Sequence, residues 1–94
     1  MPIGMLTLHL LIPGCTSLKE KRSHIKPILA RLQREFNLSV AEMGRLDAWQ
    51  ETEIACVTVS NDAGVVQHTL QSVTGYVESH WPDCPISSVK KEIL

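Results

Sequence analysis

Aromatic side chains are scarce: one phenylalanine, one tyrosine and two tryptophans in 94 residues. They stand at positions 36, 49, 76 and 81, outside the apolar segments at 3–12 and 53–60. Ferredoxin-like RNA readers stack bases on aromatics of their middle strands, and Thr7 and His9 are poor substitutes, so base readout on a sheet is not expected. No stretch approaches the roughly 20 apolar residues that cross a bilayer, which excludes a membrane helix. The run "IGMLTLHLLI" has no positive segment before it and no small-residue cleavage site after it. It reads as a buried strand rather than a secretory signal, with the cytoplasm as the expected location.

Cysteine is sparse and odd in number: Cys15, Cys56 and Cys84. Their spacing fits no zinc pattern, and Cys56 sits inside the apolar run "IACVTV", so thiols of a core or loop in a reducing compartment are expected. His9, His24, His68 and His80 share no metal-ligand spacing. "HWPDC" (80–84) gathers His, Asp and Cys only in a turn. No catalytic residue, metal or cofactor is expected.

Net charge is only −1, but its distribution is uneven. Residues 19–35 hold six basic residues against two acidic ones, a net of +4, and the rest holds three against eight, a net of −5. A near-neutral chain with one basic element has a face on which to seek a partner.

Ninety-four residues suffice for one domain, 1–94, with one core. Leu6, Leu8 and Leu10 alternate with Met5, Thr7, His9 and Leu11, the period of a strand. "PG" at 13–14 ends it. Ser17 and Glu20 fit the S-x-x-E box that starts a helix. Leu18, Ile25, Ile28, Leu29, Leu32 and Phe36 then form one helical stripe, with Asn37 as its stop. Pro27 is expected to bend this helix without dividing it, because the stripe keeps its phase.

"LSVAEMG" (38–44) and "EIACVTVS" (53–60) read as strands joined by "RLDAWQET". Asn61 or Asp62 caps a second helix with the stripe Val66, Leu70, Val73, Val77 and Trp81. "PDCP" ends it, and "ISSVKKEIL" makes an edge-like last strand guarded by Lys90 and Lys91. The order βαββαβ predicts an α+β, ferredoxin-like fold: a four-stranded antiparallel sheet with both helices on one face. The open face is moderately apolar, with Met5, Leu11 and either Ala55, Val57 and Val59 or Ile54 and Cys56. A homodimer through it is expected.

The basic helix carries the candidate binding residues: Ser17, Lys19, Lys21, Arg22, Lys26, Arg31 and Arg34. At 100° per residue Lys19, Arg22 and Lys26 share one flank, and Arg31 and Arg34 face solvent. Lys21 falls inside the apolar arc. Either its stem packs while its ammonium escapes past the helix start, or it points into the "PGCTS" turn, where free N–H groups favour an anion. Glu20 competes for those donors, so a capped helix with a solvated face stands beside a phosphate site. In "RLDAWQ", Asp47 either caps the loop or pairs with Arg45. Trp49 folds back on the core or enters an interface, which makes Asp47 and Trp49 a second candidate interaction site.

With "SLKEKRSHIKPILARL", "FNLSVAE", "DAWQ" and "VSND" in this order, the sequence resembles the YlxP-like family of small bacterial proteins of unknown function. The resemblance runs to about Val77 and implies the same ferredoxin-like fold. Genes of that family often neighbour those of translation initiation factor two and ribosome-binding factor A. By association, the resemblance implies a place near ribosome assembly or translation, and it supplies no catalytic residues.

The leading expectation is a non-enzymatic RNA- or ribosome-associated accessory protein, its basic helix meeting phosphates of ribosomal RNA. The alternative is a dimeric module that binds a small molecule or protein and has no affinity for RNA.

Overall fold

The computed structural model describes residues 2–94. Strand β1 (Ile3–Leu11) is followed by helix α1 (Leu18–Glu35), strands β2 (Ser39–Gly44) and β3 (Glu51–Val59), helix α2 (Ala63–His80) and strand β4 (Ile86–Ile93). The sheet runs β2-β3-β1-β4 and every pairing is antiparallel, with both helices on one face, which is the ferredoxin-like α+β arrangement.

Alternation in β1 decides the layering. Leu6, Leu8 and Leu10 are buried beneath the helices, and Met5, Thr7 and His9 turn to the open face. Across the central pair Leu6 lies opposite Cys56 and Leu8 opposite Ile54. Directly opposed residues share a face, so this register puts Ile54, Cys56 and Thr58 inside and Ala55, Val57 and Val59 on the open side. Thr58 also donates its hydroxyl to the Asn37 carbonyl at 2.7 Å, tying β3 to the end of α1.

Helix α1 contributes Ile25, Ile28 and Leu32 to the core, and α2 contributes Val66, Leu70, Val73 and Val77. Helix α1 runs through Pro27 as one element and ends at the cap residue Phe36, one position before the expected Asn37. Of the two candidate caps for α2, Asp62 takes the role and accepts the Gly64 N–H at 2.8 Å. Gly4 lies under α2: a Cβ there would collide with Val66 Cγ1 and stand 2.9 Å from Leu70 Cδ1, so glycine permits this close approach.

All three cysteines are buried free thiols. Burial pushes the Cys56 thiol up to about 12. Cys84 is raised as well, by burial and then by the charge of Asp83.

Candidate nucleic-acid interface

The Ser17 turn is occupied by its own side chains. Ser17 Oγ accepts the Glu20 N–H at 3.1 Å, the first half of a capping box. The returning carboxylate goes one residue further back than the motif requires: Glu20 Oε2 accepts the N–H of Thr16 at 3.0 Å and its hydroxyl at 2.9 Å. These two bonds, the backbone one foremost, hold the Glu20 carboxyl below the ordinary glutamate range. An anionic side chain therefore stands at the helix start where a phosphate would bind, and Ser17 is a cap.

Lys21 corrects the expectation of an accessible ammonium. Only 2% of its side chain is exposed, and neither a solvent escape nor an anion pocket receives it. Its Nζ lies 2.9 Å from Glu42 Oε2 and donates to the Arg45 carbonyl at 2.6 Å. Thr52 donates its hydroxyl to the same Glu42 oxygen at 2.6 Å. Lys21 thus joins α1 to the β2–β3 hairpin from inside, and the apolar arc of the helical wheel identified its direction.

Arg31 keeps 42% of its side chain exposed and also leans toward α2, its guanidinium 6.0 Å from the centre of the Tyr76 ring and its Nε 3.7 Å from Glu35. Tyr76 itself stands edge-on to Phe36 and stacks on His80 at 3.8 Å, so Arg31 belongs to the seam between the helices.

Four of the sequence candidates remain at the surface. Lys19, Arg22, Lys26 and Arg34 are exposed, and among the described residues none of them forms an ion pair. Lys19, Arg22 and Lys26 recur at three- and four-residue steps and make a stripe on the α1 flank away from Arg31, with Arg34 further round.

The hairpin loop 45–50 is tied to the start of α1. Besides the Lys21 bond to Arg45, Ile12 donates its N–H to the Gln50 carbonyl at 2.8 Å, and Gln50 Nε2 reaches the Cys15 carbonyl at 3.4 Å. Arg45 adopts a left-handed backbone, φ 58°, uncommon outside glycine. Its guanidinium pairs with Glu51 at 3.2 Å and Glu53 at 3.6 Å, where sequence reading had offered Asp47. Trp49 does not fold into the core: it is 50% exposed and, with Asp47, borders a shallow depression of about 350 Å³. The pairing of Arg45 with two glutamates on the next strand was not visible in local sequence, where Asp47 is nearer.

No helix among the described residues is long and apolar enough to cross a membrane. Among the described residues, His, Cys, Asp and Glu side chains form no group of three suited to a metal.

These features define a small ferredoxin-like domain with a basic stripe on its first helix. The chain belongs to the family described as "Protein of unknown function (DUF503)", which matches residues 3–91, so the YlxP-like resemblance holds. It is 38% identical over 77 residues to the uncharacterized protein YlxP of Bacillus subtilis (strain 168), covering 82% of this chain and 84% of that protein. Among solved structures it is similar to a mutant of SnoaB, a cofactor-independent oxygenase from Streptomyces nogalater. That similarity has a TM-score of 0.47 and 11% identity, over 99% of this chain and 90% of the other.

Proposed function

We propose that the protein is a non-enzymatic RNA-associated accessory protein that meets phosphates through Lys19, Arg22 and Lys26, with Arg34 as an outlying contact. The observation that carries this reading is the stripe itself: three exposed cations on one helix flank, each without an acidic partner among the described residues, in a chain whose net charge is −1. A helix held in register by a cap at Ser17 and by a buried ion pair at Lys21 presents that stripe rigidly. Contacts of this kind position a protein on a nucleic-acid backbone and carry no sequence information. The family's gene neighbourhood directs the choice of RNA to ribosomal fragments.

Binding to such fragments, followed by fluorescence anisotropy at several salt concentrations, tests the proposal. Neutralising three phosphates gives a log–log salt slope of about −2 on single strands and about −3 on a duplex. A Lys19→Ala/Arg22→Ala/Lys26→Ala variant is expected to lose that binding while keeping its fold. Lys90→Ala/Lys91→Ala, which alters the opposite edge of the sheet, is expected to retain it. Affinity that ignores salt, or that survives the triple substitution, overturns the assignment. The stripe then serves solubility, and the alternative of a small-molecule- or protein-binding module takes its place.

A further inference from the structure

The sheet face opposite the helices has no layer over it among the described residues. Its lower half is an apolar field across three strands. Ile3 lies opposite Val59 and Met5 opposite Val57 between β1 and β3, and Ala41 opposite Ala55 between β2 and β3. Met43 is 66% exposed, Val59 48%, Val57 39% and Ile3 36%, an adjoining set rather than scattered single residues. A shallow depression of about 230 Å³ lies between Met5, Ala41, Met43 and Val57. Contiguous exposed apolar surface of this kind marks an interaction site more often than a bare wall.

We propose that a second copy of this chain covers the field, sheet against sheet about a two-fold axis. Charge favours that occupant. At the upper end of the same face His9 lies 3.2 Å from Glu51, and Arg45 pairs with Glu51 and Glu53. At the β4 edge Lys90 lies 3.4 Å from Glu92. Each cation on this face thus has an acidic partner within its own chain, and with His9 neutral Arg45 and Lys90 stand against Glu51, Glu53 and Glu92, a net of only −1. A surface this close to balance meets its own copy without a strong field of one sign to repel it, whereas an anionic partner finds no unpaired cation here. The unpaired cations of α1 lie on the other layer, so the dimer contact and the proposed phosphate contact do not compete.

Area agrees with the same occupant. Strands of nine, six, nine and eight residues at about 3.3 Å per residue and about 4.8 Å apart give a face of roughly 500 Å². Two such faces together remove about 1,000 Å² from water, the approximate size at which a specific interface begins. An axis through the apolar field overlays apolar residues at the centre and leaves the paired charges at the rim, as in stable interfaces.

Sedimentation equilibrium of the full chain at tens to hundreds of micromolar tests this. The expected mass is twice the 10.5 kDa of one chain. Val57→Glu places two like charges near the centre of the contact and is expected to weaken association at least about tenfold, as juxtaposed like charges do. Val57 is already 39% exposed, so the monomer should fold, which circular dichroism checks. Met43→Glu, at a still more exposed position, supplies a second disruption should the first variant unfold. Val65→Glu, on the outer side of α2, is expected to leave the dimer intact. A wild-type chain that stays monomeric overturns the proposal, as does a folded Val57→Glu or Met43→Glu variant that dimerises normally.

Discussion

Lys21 Nζ and Glu42 Oε2 lie 2.9 Å apart, with 2% and 20% of their side chains exposed. Two charges withdrawn from water in this way are tolerated only when their remaining hydrogen-bonding capacity is met. Here the Arg45 carbonyl takes one ammonium proton and the Thr52 hydroxyl serves the carboxylate. The pair fixes the start of the basic helix against the hairpin that carries Trp49. Its worth lies in position, since breaking it strands a charge while replacing both partners need not.

Lys21→Ala is therefore expected to cost about 3–5 kcal/mol of stability, with Glu42 left facing the interior unpaired. A Lys21→Met/Glu42→Leu double variant should recover most of that loss. Lys19→Ala, at an exposed site two residues away, should stay within about 0.5 kcal/mol of wild type. Urea denaturation of the four proteins checks these differences, and a Lys21→Ala variant as stable as Lys19→Ala would contradict the buried pair.

How much of this was legible in the sequence depends on whether the deciding contact was local. The helical period placed Lys21 inside the apolar arc and put Lys19, Arg22 and Lys26 on one flank, and both placements hold because they depend only on residues a few positions apart. What local pattern could not supply was the partner. Glu42 and the Arg45 carbonyl come from another strand and its loop, brought there by the β2–β3 pairing. Arg31 shows the same limit: the wheel gives the direction of its Cα–Cβ bond, but a long side chain follows the nearest ring, and that ring belongs to α2. Strand β3, apolar on both faces, could not choose its buried side alone; the register with Leu6 and Leu8 chose it. The order of elements was legible throughout because each begins with a cap, a turn or a change of period.

The two unstrained-looking glycines at positions 4 and 75 should respond oppositely to alanine. Gly4→Ala drives a methyl into Val66 and Leu70 and should cost about 1–3 kcal/mol, as overpacking a core does. Nothing lies within 4 Å of a Cβ at Gly75, which is inside α2. Gly75→Ala should therefore add about 0.5–1 kcal/mol through helix propensity and reduced freedom of the unfolded chain. Thermal melts of the two variants read the signs directly, and two shifts of the same sign would refute this packing.

Cys56 has a folded-state pKa of about 12 because burial disfavours its thiolate, against roughly 8.5 for a free cysteine. The folded protein then keeps a proton that the unfolded chain releases. Stability from this group is complete below about pH 8.5 and declines as pH rises toward 12, by at most about 1.4 kcal/mol per pH unit. Cys56→Ala or Cys56→Ser removes this alkaline slope whatever its effect at neutral pH. Measured in the native state at pH 8, Cys56 should resist a thiol reagent until the protein unfolds, and fast labelling there would show the site to be open.

Glu20 works in the opposite direction. Its carboxyl is held below the ordinary glutamate range by the Thr16 N–H and then by the Thr16 hydroxyl, so the folded state favours the charged form. That contribution is fully present above the unfolded-state value, about 4.3, and is lost as pH falls through the lower folded-state value. Glu20→Gln keeps an acceptor for Thr16 but cannot titrate. The melting temperatures of wild type and variant should differ most near neutral pH and converge as pH falls through the lowered folded-state value, below which both carry a neutral side chain. Glu35→Gln, on the last turn of the same helix, separates loss of this cap from a general change in charge. If the wild type and Glu20→Gln melts keep a constant separation down to pH 2, the Thr16–Glu20 cap is not what stabilises the start of the basic helix.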